Sequence, residues 1–220
     1  MTPSLITNDQ GEATNRIVAM FRSANAEELA YGLTWYQDAH AFAAEVAQRH
    51  GLTVRQVAGI IAALSPRTSW ELNKVNAERL IATGDCPGLT LGRHRAQRIA
   101  FDAEDPADVL GGPKVRSFFD NLADPLNSEA VVIDRHAFDA VAGQVTNDHT
   151  RKQLDRKGEY QRVSDIYRSA AHVLGVQPHV VQAVVWSVWR NRYGRFVYQR
   201  TIANPGHLGP LTDTPEDPTF

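Results

Sequence analysis

The sequence predicts an all-α protein, a two-lobed helical array over residues 1–203 with an extended or mobile tail over 204–220. Three observations predict it. The amphipathic stretches repeat their apolar residues at helical rather than strand spacing. Capping residues, prolines and glycines mark helix starts and stops along the chain. The one strand-like run, Val131-Val132-Ile133, is too short to count as a strand.

Thr34 to His50 places Tyr36, Ala39, Ala43, Val46 and Ala47 on one face and stops at Gly51. Thr53-Val-Arg-Gln56 has the reciprocal capping pattern and opens a nearly all-apolar helix, Val57 to Leu64, which belongs at the centre of the core. Ser65-Pro66 ends that helix, and the next runs from about Ser69 to Thr83 and stops at Gly84. Arg93 to Asp102 is helical, and Pro106 to Leu110 forms a short helix capped by Asp105. Pro113 to Leu122 follows, with proline in the first turn, where its missing N–H costs nothing. Asp134 caps a helix through Phe138 and Val141. After the polar stretch Asn147 to Gly158 come two longer helices, Glu159 to Leu174 and Gln177 to Arg192. The tail beyond Ile202 carries four prolines and acidic residues, and no internal repeat or interdomain linker is visible.

Length and composition exclude several classes. At 220 residues the chain suffices for one well-buried core or two small lobes sharing one. With 43% hydrophobic and 22% charged residues it is an ordinary globular sequence, not a disordered one. No apolar run approaches the roughly 20 residues of a membrane span, and the N-terminus lacks a signal-peptide pattern. A cytoplasmic address is expected, at the nucleoid in a bacterial or viral setting. Cys86 is the single cysteine, which excludes an internal disulfide and an all-cysteine iron–sulfur cluster. The eight histidines show no metal-ligand spacing, so neither metal nor other cofactor is expected.

The net charge of −2 conceals an asymmetry: residues 1–150 carry −6, residues 151–200 carry +7 and residues 201–220 carry −3. The basic segment suits a phosphate-contacting surface, or equally a solvated helix face.

Two short elements carry chemistry. In Gly111-Gly112-Pro113-Lys114 the glycines permit a sharp turn, and the N–H groups opening the next helix can face a phosphate. The same residues also make an ordinary turn. Asp134, 20 residues after Lys114, follows an apolar run at a helix start. A carboxylate there is partly desolvated, and can stabilise a cation or deprotonate a lysine, or simply cap its helix. Trp35, Tyr36, Trp70 and Asn73 are candidates for a base pocket. Trp186, Trp189 and Tyr193 have the i, i+3, i+7 spacing of a core face.

Taken together, Gly112-Pro113-Lys114 and Asp134-Arg135-His136 resemble the Gly-x-Lys and Asp-x-His elements of the helix-hairpin-helix (HhH-GPD) DNA glycosylases, the endonuclease III and 8-oxoguanine glycosylase group. Leu64-Ser65-Pro66-Arg67-Thr68 with Asn73-Lys74 is similar to that family's early Leu-Ser-x-Gln-x-Thr … Asn-Lys segment, and Gln182 to Ser187 to its last helix. The resemblance covers roughly Val54 to Arg190 in the same order.

It implies a DNA N-glycosylase, with AP-lyase activity where the lysine is the nucleophile. Such an enzyme takes a damaged, mispaired or modified base flipped from double-stranded DNA into a pocket between two helical lobes. Lys114 and Asp134 are the implied catalytic pair. Lys114 must then be partly neutral, which burial and a nearby Arg116 or Arg135 favour; a plain phosphate contact is its alternative. Gly111, Gly112, Arg67, Arg116, Arg135 and His136 are the implied DNA contacts, with a structural role the alternative for His136.

The chain also departs from the family. Val109-Leu110-Gly111-Gly112 is two residues shorter than the family hairpin, and Arg67 replaces a glutamine. These departures leave two other readings open: an enzyme that installs or exchanges a group on a modified base, and a non-catalytic DNA-binding helical module.

Overall fold

In the computed structural model, which describes residues 9–202, every regular element is a helix. The all-α expectation holds. None of these helices is long and apolar enough to cross a membrane. The 204–220 tail lies outside the described residues.

Two helices start outside the spans expected from the sequence. α1 (Gln10–Arg22) is amphipathic, with Ala13, Ile17 and Val18 buried, and Asp9 starts it by accepting from the Gly11 and Glu12 N–H groups. α2 (Ala26–His50) begins well before Thr34. Its first turn is set by a reciprocal cap: Asn25 N–H donates to Glu28, and Glu28 N–H donates to the Asn25 side chain, both at 2.9 Å.

The remaining helices lie near the expected positions. They are α3 (Val54–Leu64), α4 (Trp70–Thr83), α5 (Thr90–Phe101), α6 (Pro106–Val109), α7 (Pro113–Ala123), α8 (Arg135–Ala142), α10 (Glu159–Leu174) and α11 (Pro178–Ile202). The exceptions are that α5 starts at Thr90 rather than Arg93 and α11 continues to Ile202 rather than stopping at Arg192. The Thr53/Gln56 capping box forms as expected. The polar stretch Asn147–Gly158 is not a plain loop; it folds into α9 (Asp148–Arg151) and a 3-10 turn (Lys152–Asp155).

The chain makes two compact units. One runs from Tyr36 to Ala130 and is built around α3, whose residues Val57 to Leu64 are all buried. Ile60 and Ile61 are fully enclosed with Ala77, Leu80, Ile99, Phe118 and Leu122. Each such aliphatic side chain contributes about 2 kcal/mol on burial. Close approach is built in: a Cβ on Gly59 would meet Pro106 Cγ at 2.6 Å.

The other unit joins the chain up to Trp35 with the segment from Val131 onward. Its core gathers Ile17, Ile133, Phe138, Val141, Ile166, Tyr167, Val185 and Trp189 from α1, α8, α10, α11 and the run preceding α8. Trp189 is buried as its spacing predicts, whereas Tyr193 is 37% exposed and stacks on the Trp189 ring at 4.3 Å. Val131-Val132-Ile133 is buried without entering a strand. Its backbone is satisfied instead by Tyr160, which donates to Val131 O at 2.9 Å and accepts from Ile133 N at 3.0 Å.

Candidate active site

Asp134 follows that pinned run directly. It is the N-cap of α8, and its Oδ1 accepts the Ala137 N–H at 2.8 Å. Its Oδ2 accepts the indole N–H of Trp186 at 2.9 Å. Tyr167, wholly buried on α10, donates to Ala137 O at 3.0 Å and so fixes the same first turn from behind. Burial, reinforced by the charges of Asp134 and Asp139, holds the Tyr167 hydroxyl well above its ordinary range, so it stays protonated and able to donate.

The Asp134 carboxylate is 6% exposed and, among the described residues, makes no ion pair. Asp139, one helical stretch further along α8 and fully buried, is treated differently. Arg151 pairs with it at 2.9 Å, while the Thr146 N–H and hydroxyl supply further donors. A buried charge without a counter-ion costs stability. The fold neutralises one aspartate of α8 and leaves the other anionic with only neutral donors.

Around Asp134 the cations are turned to other partners. Arg135 is exposed and donates from Nε to His136 Nε2 at 3.2 Å. His136 is 5% exposed and lies edge-on to Trp186, with ring centres 5.7 Å apart. Accepting at Nε2 makes it the neutral tautomer with its proton on Nδ1, an atom without a hydrogen-bond partner. Burial pushes the His136 imidazole below its ordinary value, against the pull of Asp134 and with the help of Arg135. Arg190 places its guanidinium 5.2 Å from the centre of the Trp186 ring.

The other expected residues lie in the unit of residues 36–130. Lys114 is the second residue of α7, half-buried, in a first turn that no side chain caps. Gly112 opens that turn at φ +79, a conformation glycine adopts without strain, and nothing stands within 4 Å of where its side chain would be. Gly111 is approached by Arg95, whose Nη2 would lie 2.6 Å from a Cβ there. Arg116 donates to Leu110 O at 2.8 Å and braces the turn from the other side.

Arg67 lies in the Ser65–Thr68 turn, closed by Thr68 N–H donating to Ser65 O at 3.2 Å. It is exposed and has φ +61, a position usually given to glycine. Trp70 packs edge-on to Phe42 at 5.9 Å, with Lys74 Nζ 5.6 Å over its ring. Of the four base-pocket candidates only Trp70 keeps a partly exposed ring. Trp35 and Tyr36 are buried at 8% and 2% exposure, Tyr36 against Phe118. Asn73 is wholly buried and donates to Ile61 O, tying α4 to α3.

The structure thus gathers Asp134, Arg135 and His136 in one place, Gly111, Gly112, Lys114 and Arg116 in a second, and Arg67 with Trp70 in a third. It adds contacts that the motifs do not mark. Trp186 carries the core spacing and is indeed buried, but its hydrogen bond to Asp134 crosses 52 residues of sequence and no periodicity reports it. Arg190, one helical turn on from Trp186, and Arg95 are likewise invisible to local pattern.

Residues 4–193 match the profile of DUF7178, a family of unknown function. No curated protein and no solved structure matches the chain.

Proposed function

The chain belongs to the DUF7178 family, and we propose that it is a DNA glycosylase acting on a damaged, mispaired or modified base flipped out of double-stranded DNA. The observation that carries this reading is the Asp134 carboxylate: buried, oriented by two neutral N–H donors and given no cation of its own. Breaking a glycosidic bond builds positive charge on the sugar ring. A fixed anion in a water-poor site stabilises that charge without reorganising. The resemblance of Gly112-Pro113-Lys114 and Asp134-Arg135-His136 to the helix-hairpin-helix glycosylases supplies the same assignment independently.

In the proposed reaction the neutral Lys114 amine forms a bond to C1′ while the C1′–N bond breaks and its electron pair departs with the base. The base takes up a proton from solvent and the amine releases one to solvent, while the role assigned to Asp134 is to stabilise the charge on the sugar. Opening of the sugar then gives a Schiff base, from which elimination cuts the strand. Arg67, Arg116 and Arg135 are the proposed contacts to the DNA backbone or to the gap left by the flipped base.

The test is base release from duplexes carrying a panel of altered thymines and cytosines, with wild type and Asp134→Asn. Release by wild type alone supports the proposal. Release by neither, on any duplex, contradicts it. One feature favours a second reading, an enzyme that installs or exchanges a group on the base: the shortened Gly111-Gly112 turn is approached at Gly111 by the Arg95 guanidinium. A change in base mass without base release distinguishes it.

A further inference from the structure

We infer that Trp186 is a positioning residue for Asp134, setting the orientation of the carboxylate without neutralising it; the inference rests on the glycosylase reading above. A buried indole N–H needs an acceptor, and a backbone carbonyl would ordinarily serve. Trp186 instead donates to Asp134 Oδ2 at 2.9 Å, while Oδ1 is held by the Ala137 N–H. Both oxygens are therefore fixed by neutral donors, and the plane of the carboxylate is set. Packing alone does not demand the bond. Trp189, almost one turn further along α11 and buried more deeply, has an Nε1 with no hydrogen-bond partner among the described residues.

The surroundings keep this arrangement. The His136 ring stands at 88° to the indole and blocks its rotation. Arg190 lies over the face of the indole, and among the described residues no ion pair joins it to the carboxylate. A guanidinium bonded directly to Asp134 would cancel the charge the reaction needs. An indole N–H orients the anion and leaves it negative.

The experiment replaces Trp186 in the full chain in two ways, with phenylalanine and with benzothienylalanine. The latter keeps the bicyclic shape and lacks the N–H, so a packing defect is separated from loss of the bond. Single-turnover base release is measured on the altered-base duplex that wild type cleaves, alongside duplex affinity. A parallel arm follows the four indole N–H signals by NMR in wild type and Asp134→Ala. The expected result is a rate loss of about 10- to 100-fold for benzothienylalanine, the size of one hydrogen bond to a charged group, with duplex affinity unchanged. In the NMR arm the Trp186 signal shifts far more than the other three. Wild-type turnover by the benzothienylalanine protein, or a Trp186 signal indifferent to Asp134, overturns the inference and leaves the glycosylase reading intact. No base release by wild type on any duplex brings down that reading, and this inference with it.

Discussion

Asp134 and Asp139 lie on the same short helix, both buried, and only Asp139 is given an arginine. The contrast separates a carboxylate paired to hold the fold from one given only neutral donors. Arg151 binds Asp139 and also donates to Thr146 O at 2.5 Å, so this pair fastens the α8–α9 connection to the helix it leaves.

Stability should follow that division. Arg151→Ala leaves Asp139 buried and unpaired and is expected to cost about 3–5 kcal/mol. Asp134→Asn keeps one acceptor for the N-cap and removes a buried charge, but its amide NH2 group faces the buried Trp186 N–H, so its cost should be about 1–3 kcal/mol, below that of Arg151→Ala. Urea unfolding of the two variants checks both. An Asp134→Asn protein as unstable as Arg151→Ala would make Asp134 a structural residue.

Arg67 gives a second separation. At φ +61 a non-glycine residue carries roughly 1–2 kcal/mol of strain. Arg67→Gly relieves it and should be as stable as wild type or more so; Arg67→Ala keeps the strain and gains nothing. Both should bind duplex DNA more weakly, since both lose the guanidinium. Thermal melting and fluorescence anisotropy on one duplex test the pair. Undiminished affinity in both would remove Arg67 from the DNA surface.

His136 sets a pH dependence whose sign follows from its burial. Its folded value lies below the ordinary 6.5, with desolvation the first cause. Between those two values the unfolded chain binds a proton that the folded chain refuses, so stability rises with pH there. The contribution is complete above about 6.5 and is lost as the pH falls from there toward the lowered folded value. Melting temperatures at pH 7.5 and 5.5 should drop less for His136→Gln than for wild type. An equal drop would mean that His136 is protonated in the fold.

Much of this was legible in the sequence. Capping pairs and apolar spacing mark most helices, and the all-apolar segment Val57 to Leu64 correctly announces a helix at the centre of a core. Asp134 was readable as an N-cap after a buried run for the same reason. α1 was legible but not read: Ala13, Ile17, Met20 and Phe21 stand at i, i+4, i+7 and i+8 behind the Asp9 cap. The start of α2 was signed by Asn25 and Glu28, the same reciprocal cap as Thr53 and Gln56, but no clear apolar stripe follows it at once.

The environment of Asp134 was not legible, for a different reason. Tyr160, Tyr167 and Trp186 reach it from α10 and α11, and each looks like a core aromatic by its own spacing. What distinguishes them is the polar atom at the ring's end, whose partner depends on tertiary packing. Tyr36 is buried as its place on the apolar face of Thr34 to His50 implied, whereas Trp35, in the middle of α2 rather than near its start, and Asn73 read the same whether they face solvent or a neighbouring helix.

The turn at Gly111 and Gly112 yields a further expectation. Gly112→Ala forces a side chain into φ +79 and should cost about 1–2 kcal/mol. Gly111→Ala meets only the flexible end of Arg95 and should fold with smaller loss while displacing that guanidinium. If Arg95 helps the turn to bind DNA, Gly111→Ala and Arg95→Ala weaken duplex affinity by similar factors, and the double variant adds little. Additive losses would mean that the two residues act separately.

The central claim, that Lys114 and Asp134 carry out glycosylase chemistry, is tested most directly by borohydride trapping on duplexes with an abasic site or an altered base. Wild type should give a covalent protein–DNA adduct. Lys114→Ala should give none, and Asp134→Asn should form it slower by on the order of 100- to 1000-fold. An adduct that survives Lys114→Ala, or that forms at the wild-type rate in Asp134→Asn, would contradict the account.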